Sequence, residues 1–123
     1  MNKGKWDGKQ ILSSGWVDEA TRVQVPVGTD WRKDTPRQRQ NGGRGVGRYG
    51  FNWWLNTVGT DGKRIFPDAP ANLYWASGYN DNKCFVIPAW NMVIVRMGVN
   101  GTPNGADNIW NEFLHLIQNA ILK

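Results

Sequence analysis

Few residues in this chain could carry covalent chemistry: three serines, one cysteine and one histidine. A serine hydroxyl is a poor nucleophile at neutral pH unless a base lies beside it. Ser13, Ser14 and Ser77 therefore matter only if the fold or the motif supplies that base. Cys84 is the only cysteine, which excludes an intramolecular disulfide and any cysteine-based zinc site. Its run, Cys84-Phe85-Val86-Ile87, suits a thiol acting as a small buried hydrophobe. His115 falls beside the apolar stripe of a C-terminal helical pattern and reads as a surface or boundary residue, not a catalytic base. No pair of carboxylates stands out, and no cluster has metal-ligand spacing. No metal or other cofactor is therefore expected. The glycine run Gly42-Gly43-Arg44-Gly45-Val46-Gly47 lacks the Lys-Ser/Thr that closes a phosphate-binding loop, and no predicted strand precedes it.

Two compositional features could instead serve binding. The net charge is +5, and Arg32, Lys33, Arg37, Arg39, Arg44 and Arg48 cluster in one stretch opposed only by Asp34. Mixed with Pro36 and four glycines, that stretch reads as a solvated, mobile loop over residues 28 to 48. A loop so long is unusual inside a compact domain and is often functional. The chain also has eight tryptophans. Tryptophan lines carbohydrate sites and interfaces but also fills cores. Binding to single-stranded nucleic acid needs aromatics interleaved with cations. Here the aromatics alternate within apolar runs and the arginines sit apart, so no nucleic-acid partner is expected.

The elements that would position these residues can be placed by periodicity. The 123 residues fit a single domain with a real core. No apolar run approaches a membrane span. The N-terminus, Met1 to Gly8, has no apolar segment behind its lysines, so no signal peptide is expected. Ile11 to Thr21 reads as a short helix capped by Ser13 or Ser14, burying Trp16, Val17 and Ala20. Tyr49 to Leu55 alternates and predicts a strand. Gly59-Thr60-Asp61-Gly62 predicts a turn, and Asp68 to Ala71 a loop. Asn72 to Ser77, Lys83 to Ile87 and Met92 to Met97 predict three more strands. Asn80-Asp81-Asn82 and Pro88 to Asn91 are their connections. Met92-Val93-Ile94-Val95, apolar on both faces, predicts a central, covered strand, with Arg96 inside it. Gly101 to Gly105 breaks the chain. A helix from about Asp107 to Leu122 should bury Ile109, Phe113, Leu116, Ile117, Ala120 and Ile121, with Trp110 and Leu114 widening the stripe. The connections between strands are too short for crossover helices. An α+β fold with an antiparallel sheet flanked by helices follows.

Three stretches together resemble the serine β-lactamases, penicillin-binding proteins and related esterases, closest to the class C-like branch. They are Gly4-Lys5-Trp6-Asp7-Gly8-Lys9-Gln10-Ile11-Leu12 with Trp16-Val17 and Ala20-Thr21; Tyr49-Gly50-Phe51-Asn52-Trp53-Trp54; and Ala76-Ser77-Gly78-Tyr79 with Phe85-Val86-Ile87-Pro88 and Val93-Ile94-Val95-Arg96. Their order, and the terminal helix, resemble the last third of such a hydrolase. The resemblance implies the C-terminal portion of a β-lactamase/transpeptidase-like fold. It also implies a parent enzyme that hydrolyses a small acyl ester or amide, in the periplasm or outside the cell.

The family attacks with a serine from a Ser-x-x-Lys motif. Three places after Ser13, Ser14 and Ser77 stand Trp16, Val17 and Asn80, so the nucleophile motif is missing and no catalytic residue is assigned to this chain. By the resemblance, Ala76-Ser77-Gly78 takes the place of the family's Lys-Thr-Gly strand motif, and the Tyr79 N–H would line the oxyanion hole. Ala76, Ser77, Gly78 and Tyr79 would then form the substrate wall of the parent's site. Ala76 replaces a frequent lysine, which weakens any cationic grip on a substrate carboxylate. The expected partner is the N-terminal part of the same hydrolase, with a homodimer of the chain as substitute. The alternative reading is a Trp-rich binding module for carbohydrate or another polymer.

Overall fold

A computed structural model describes residues 2–29, 45–99 and 107–121, with side chains at 107 and 108 left aside. Most of the predicted 28–48 loop, its basic residues Arg32 to Arg44 and the 101–105 break lie outside the described residues.

The chain opens with an antiparallel hairpin of β1 (Lys5–Trp6) and β2 (Lys9–Gln10). Asp7 and Gly8 both take positive φ, which a two-residue hairpin turn requires and Asp-Gly supplies. This hairpin is not among the expected elements, although Asp-Gly is its signal. Helix α1 (Ser14–Ala20) follows as expected, and the Ser13 hydroxyl accepts from the Trp16 N–H at 3.1 Å. Ala20 is buried and Val17 half-buried. Trp16 is instead 52% exposed, its ring lying against Phe51.

Tyr49 to Leu55 is not one strand. The chain reverses at Phe51-Asn52, where Asn52 has φ +59, and Gly50 N–H donates to the Trp53 carbonyl at 2.8 Å. Tyr49 then bridges to Trp54 across the turn, and only β3 (Trp54–Leu55) joins the sheet. Alternation alone could not separate a strand from a hairpin, because the two sides of a hairpin also alternate.

The main sheet is fully antiparallel in the order β3–β4–β5–β6, with β4 at Tyr74–Ser77, β5 at Lys83–Ile87 and β6 at Met92–Arg96. Single 3-10 turns at Tyr79–Asp81 and Pro88–Trp90 link the last three strands. The sheet's order corrects one expectation. Among the described residues β6 is an edge strand, not a covered central one, and Val93 and Val95 are 46% and 59% exposed. Arg96 therefore also lies on the edge.

Helix α2 (Asp107–Ile121) covers the sheet face that carries Trp75, Phe85, Ile87 and Ile94. The core gathers Phe66, Ala69, Leu73, Trp75, Phe85, Ile87 and Leu114, with Trp54 and Trp110 packed against it. Along α2 the buried and half-buried apolar residues are Leu114, Trp110 and Ile117. Ile109, Phe113, Leu116 and Ile121, expected in the core, are 38% to 61% exposed, and Ala120, also expected there, is exposed too. At 100° per residue, Ile109, Phe113, Leu116 and Ala120 form one flank, opposite Asn111, whose side chain holds Asp68.

Among the described residues no helix is long and apolar enough to cross a membrane.

Candidate functional site

The residues assigned to the substrate wall lie where β4 ends. Ala76 pairs with Cys84 and Ser77 with Lys83 across the β4–β5 ladder. Ala76 is half-buried, Ser77 and Gly78 are exposed, and Tyr79 is 89% exposed. The four residues are contiguous on one open rim, so the structure keeps them together.

The rim is fixed by its turn. Asn80 and Asp81 take φ +56 and +59, a conformation asparagine and aspartate tolerate better than most residues. Asn82 is the strut: its side-chain amide donates to the Tyr79 carbonyl at 2.8 Å and its Oδ1 accepts from Gly98 N–H at 2.8 Å. The Arg96 guanidinium donates to the Asn80 carbonyl, tying the turn to the edge strand. Gly78 N–H is spent on the Asn82 carbonyl. The Tyr79 N–H opens the 3-10 turn, where the first amides have no acceptor inside the helix.

A second group lies beneath this rim, and sequence reasoning did not find it. Lys83 Nζ donates to Ser77 Oγ at 2.8 Å and pairs with the Asp81 carboxylate. Trp110 Nε1–H, from α2, donates to the other Asp81 oxygen at 2.9 Å, and the ammonium lies 5.9 Å from the Trp110 ring centre. Both charged side chains are largely buried, at 10% and 19% exposed. Burial pushes the Asp81 carboxyl upward, but hydrogen bonds from Lys83 and Trp110 and the charges of Lys83 and Arg96 outweigh it and hold it below its ordinary value. A search three residues ahead of each serine could not reveal Lys83, which reaches Ser77 through strand register.

The Ser77–Lys83 contact places a lysine beside a serine without activating it. An ammonium paired with a carboxylate has no lone pair with which to accept the serine proton. The cation absent at Ala76 is thus present one strand away, but Asp81 neutralises it.

The remaining candidates separate from this rim. His115 is exposed and bonded to Asn119 at 3.0 Å. Cys84 is half-buried on the less covered sheet face, not fully enclosed as expected. Arg48, expected in the solvated loop, is buried: its guanidinium pairs with Asp61 and donates to the Lys63 carbonyl at 2.6 Å. The tryptophans mostly serve packing. Trp75 is buried, Trp54 stacks on it at 6.2 Å, and Trp53, Trp90 and Trp110 are half-buried. Among the described residues no group of three or more His, Cys, Asp or Glu side chains is placed to hold a metal ion.

No protein-family model matches this chain, and no curated protein matches it either.

Proposed function

We propose that the chain is the C-terminal region of a β-lactamase-family serine hydrolase, forming one wall of an acyl-ester or amide site whose nucleophile belongs to a further part of the protein. The supporting observation is the unfinished flank of the fold. Among the described residues β6 is an open edge with Val93 and Val95 exposed, and α2 presents a second apolar flank at Ile109, Phe113 and Leu116. Exposed strand edges and apolar flanks of this extent are features that another segment normally covers. An N-terminal strand and helix from the same hydrolase would supply both covers.

In this reading Ala76, Ser77, Gly78 and Tyr79 face a small acyl substrate, and the Tyr79 N–H stabilises the oxyanion. Such donors act because they are fixed before charge develops. The Asn82 strut and the Arg96 tie give the rim that rigidity. The chain alone is inactive, because Lys83 is committed to Asp81 and, among the described residues, no other base stands near Ser77.

The test is to sequence the gene upstream of the Met1 codon. A Ser-x-x-Lys motif in the same open reading frame is the expected result. An in-frame upstream region without that motif, or a stop codon immediately before Met1, overturns the proposal.

A further inference from the structure

A cavity of about 460 Å³ opens between the β1–β2 hairpin, α1 and the start of β4. Small-ligand pockets commonly measure roughly 300–1,000 Å³. It lies at the Tyr74 end of β4, whereas the Ser77 rim lies at the other end. Its position makes it separate from the proposed acyl site.

The lining has two parts. Leu55 and Leu73, both buried, and the half-buried Val17 give an apolar floor. Trp6 and Tyr74 supply aromatic surface, and Trp6 is 75% exposed, an unusual state for an indole with no ring partner among the described residues. The charges on the wall do not cancel. Lys3 pairs with Asp18 at 3.5 Å, while Lys5 has no ion-pair partner among the described residues. The Tyr74 hydroxyl makes no hydrogen bond among the described residues, and the ring is held edge-on against Trp53 at 5.1 Å. Burial pushes the Tyr74 phenol above its usual value, so it remains a neutral donor at physiological pH.

We propose that this cavity binds a small organic carboxylate with an apolar body, such as an aryl- or alkyl-substituted carboxylic acid. The body occupies the Leu55–Leu73 floor beside Trp6. Lys5 and the Tyr74 hydroxyl take the carboxylate. A neutral ligand of the same shape would leave Lys5 uncompensated. A cation would meet Lys5 and the chain's net charge of +5.

The experiment uses the full 123-residue chain, labelled with ¹⁵N and titrated with 3-phenylpropionate and with 3-phenylpropan-1-ol. The expected result is saturable shifts at Trp6, Leu73 and Tyr74, with the carboxylate bound roughly tenfold more tightly than the alcohol, as a charge-assisted hydrogen bond implies. Lys5→Gln, on an exposed strand, should remove most of the carboxylate's advantage and leave the alcohol unchanged. Tyr74→Phe should weaken the carboxylate more than the alcohol. Equal affinity for both ligands, no saturation at millimolar concentration, or shifts centred on Ile109, Phe113 and Leu116 would each overturn the assignment.

Discussion

Asn56 is the residue on which the loop between β3 and β4 depends. It is fully buried; its amide donates to the Phe66 carbonyl at 2.8 Å and the Pro70 carbonyl at 3.2 Å, and its Oδ1 accepts from the Phe66 N–H at 3.0 Å. Asn56→Ala strands those buried groups, and a loss of about 3 kcal/mol is expected by chemical denaturation. Asn56→Asp should be worse, because a carboxylate cannot donate to the carbonyls. Asp61 gives a pH signature. The hydrogen bond from Arg48, first, and that from the Lys63 N–H hold its carboxyl at about 2. The folded value lies below the ordinary one near 3.9, so the ionised form favours the fold. Its contribution is complete above about pH 4 and is lost as pH falls towards about 2. Denaturation profiles of the wild type and Asp61→Asn should therefore converge across that window, and parallel profiles would refute the linkage. For Ser77 the expectation is inactivity: the purified chain should not hydrolyse nitrocefin or p-nitrophenyl esters. Turnover abolished by Ser77→Ala would reveal a nucleophile that the Lys83–Asp81 pair was argued to leave unactivated. None of these three residues announces its environment in sequence. Asn56 sits between Leu55 and Thr57 like any loop asparagine, and Lys83 finds Ser77 only once β4 and β5 align.

Elements were more legible where the signal was local. The Ser13 cap, the Pro88–Asn91 connection and the periodic run of α2 are each contained within a few residues, and each appears as expected. What failed depended on neighbours. Val93 and Val95 have the residue types of a core strand, but the described residues leave their face open. The helix stripe misled for the same reason: α2 has two apolar flanks, and one sheet can bury only one. Gly50 carries a different kind of information. A Cβ there would run into the Ala20 carbonyl oxygen, the acceptor of the Phe51 N–H at 3.0 Å. Backbone meets backbone at this point, so α1 is docked without a side chain between. Gly50→Ala should separate α1 from the Tyr49–Trp54 turn. Loss of protection from hydrogen exchange at Phe51 and Gln24, with the β4–β5 ladder still protected, is the expected reading.

At the scale of the molecule, the open β6 edge and the apolar flank of α2 predict association. Two copies pairing antiparallel through β6 would extend the sheet and cover Val93 and Val95. Sedimentation at micromolar concentration should give a dimer or larger species. Val95→Lys, at a position already 59% exposed, should restore the monomer without unfolding it. A wild-type monomer that binds no apolar-surface dye would count against both the association and the proposed missing cover.

The aromatic packing also makes this protein its own spectroscopic reporter. Trp54 and Trp75 lie 6.2 Å apart at 18°, and Trp75 continues through Phe85 to Trp110. Indoles so close couple their electronic transitions, and where the two in-plane transition dipoles are skewed the circular-dichroism band splits into a couplet of opposite signs. Such a couplet reports the β3–β4 pairing, whereas Trp6, 75% exposed, stands at the cavity mouth, so the emission lost on Trp6→Phe is the part that reports the hairpin. The wild type and Trp6→Phe, compared side by side, can therefore follow the sheet and the cavity as separate signals, with no added label.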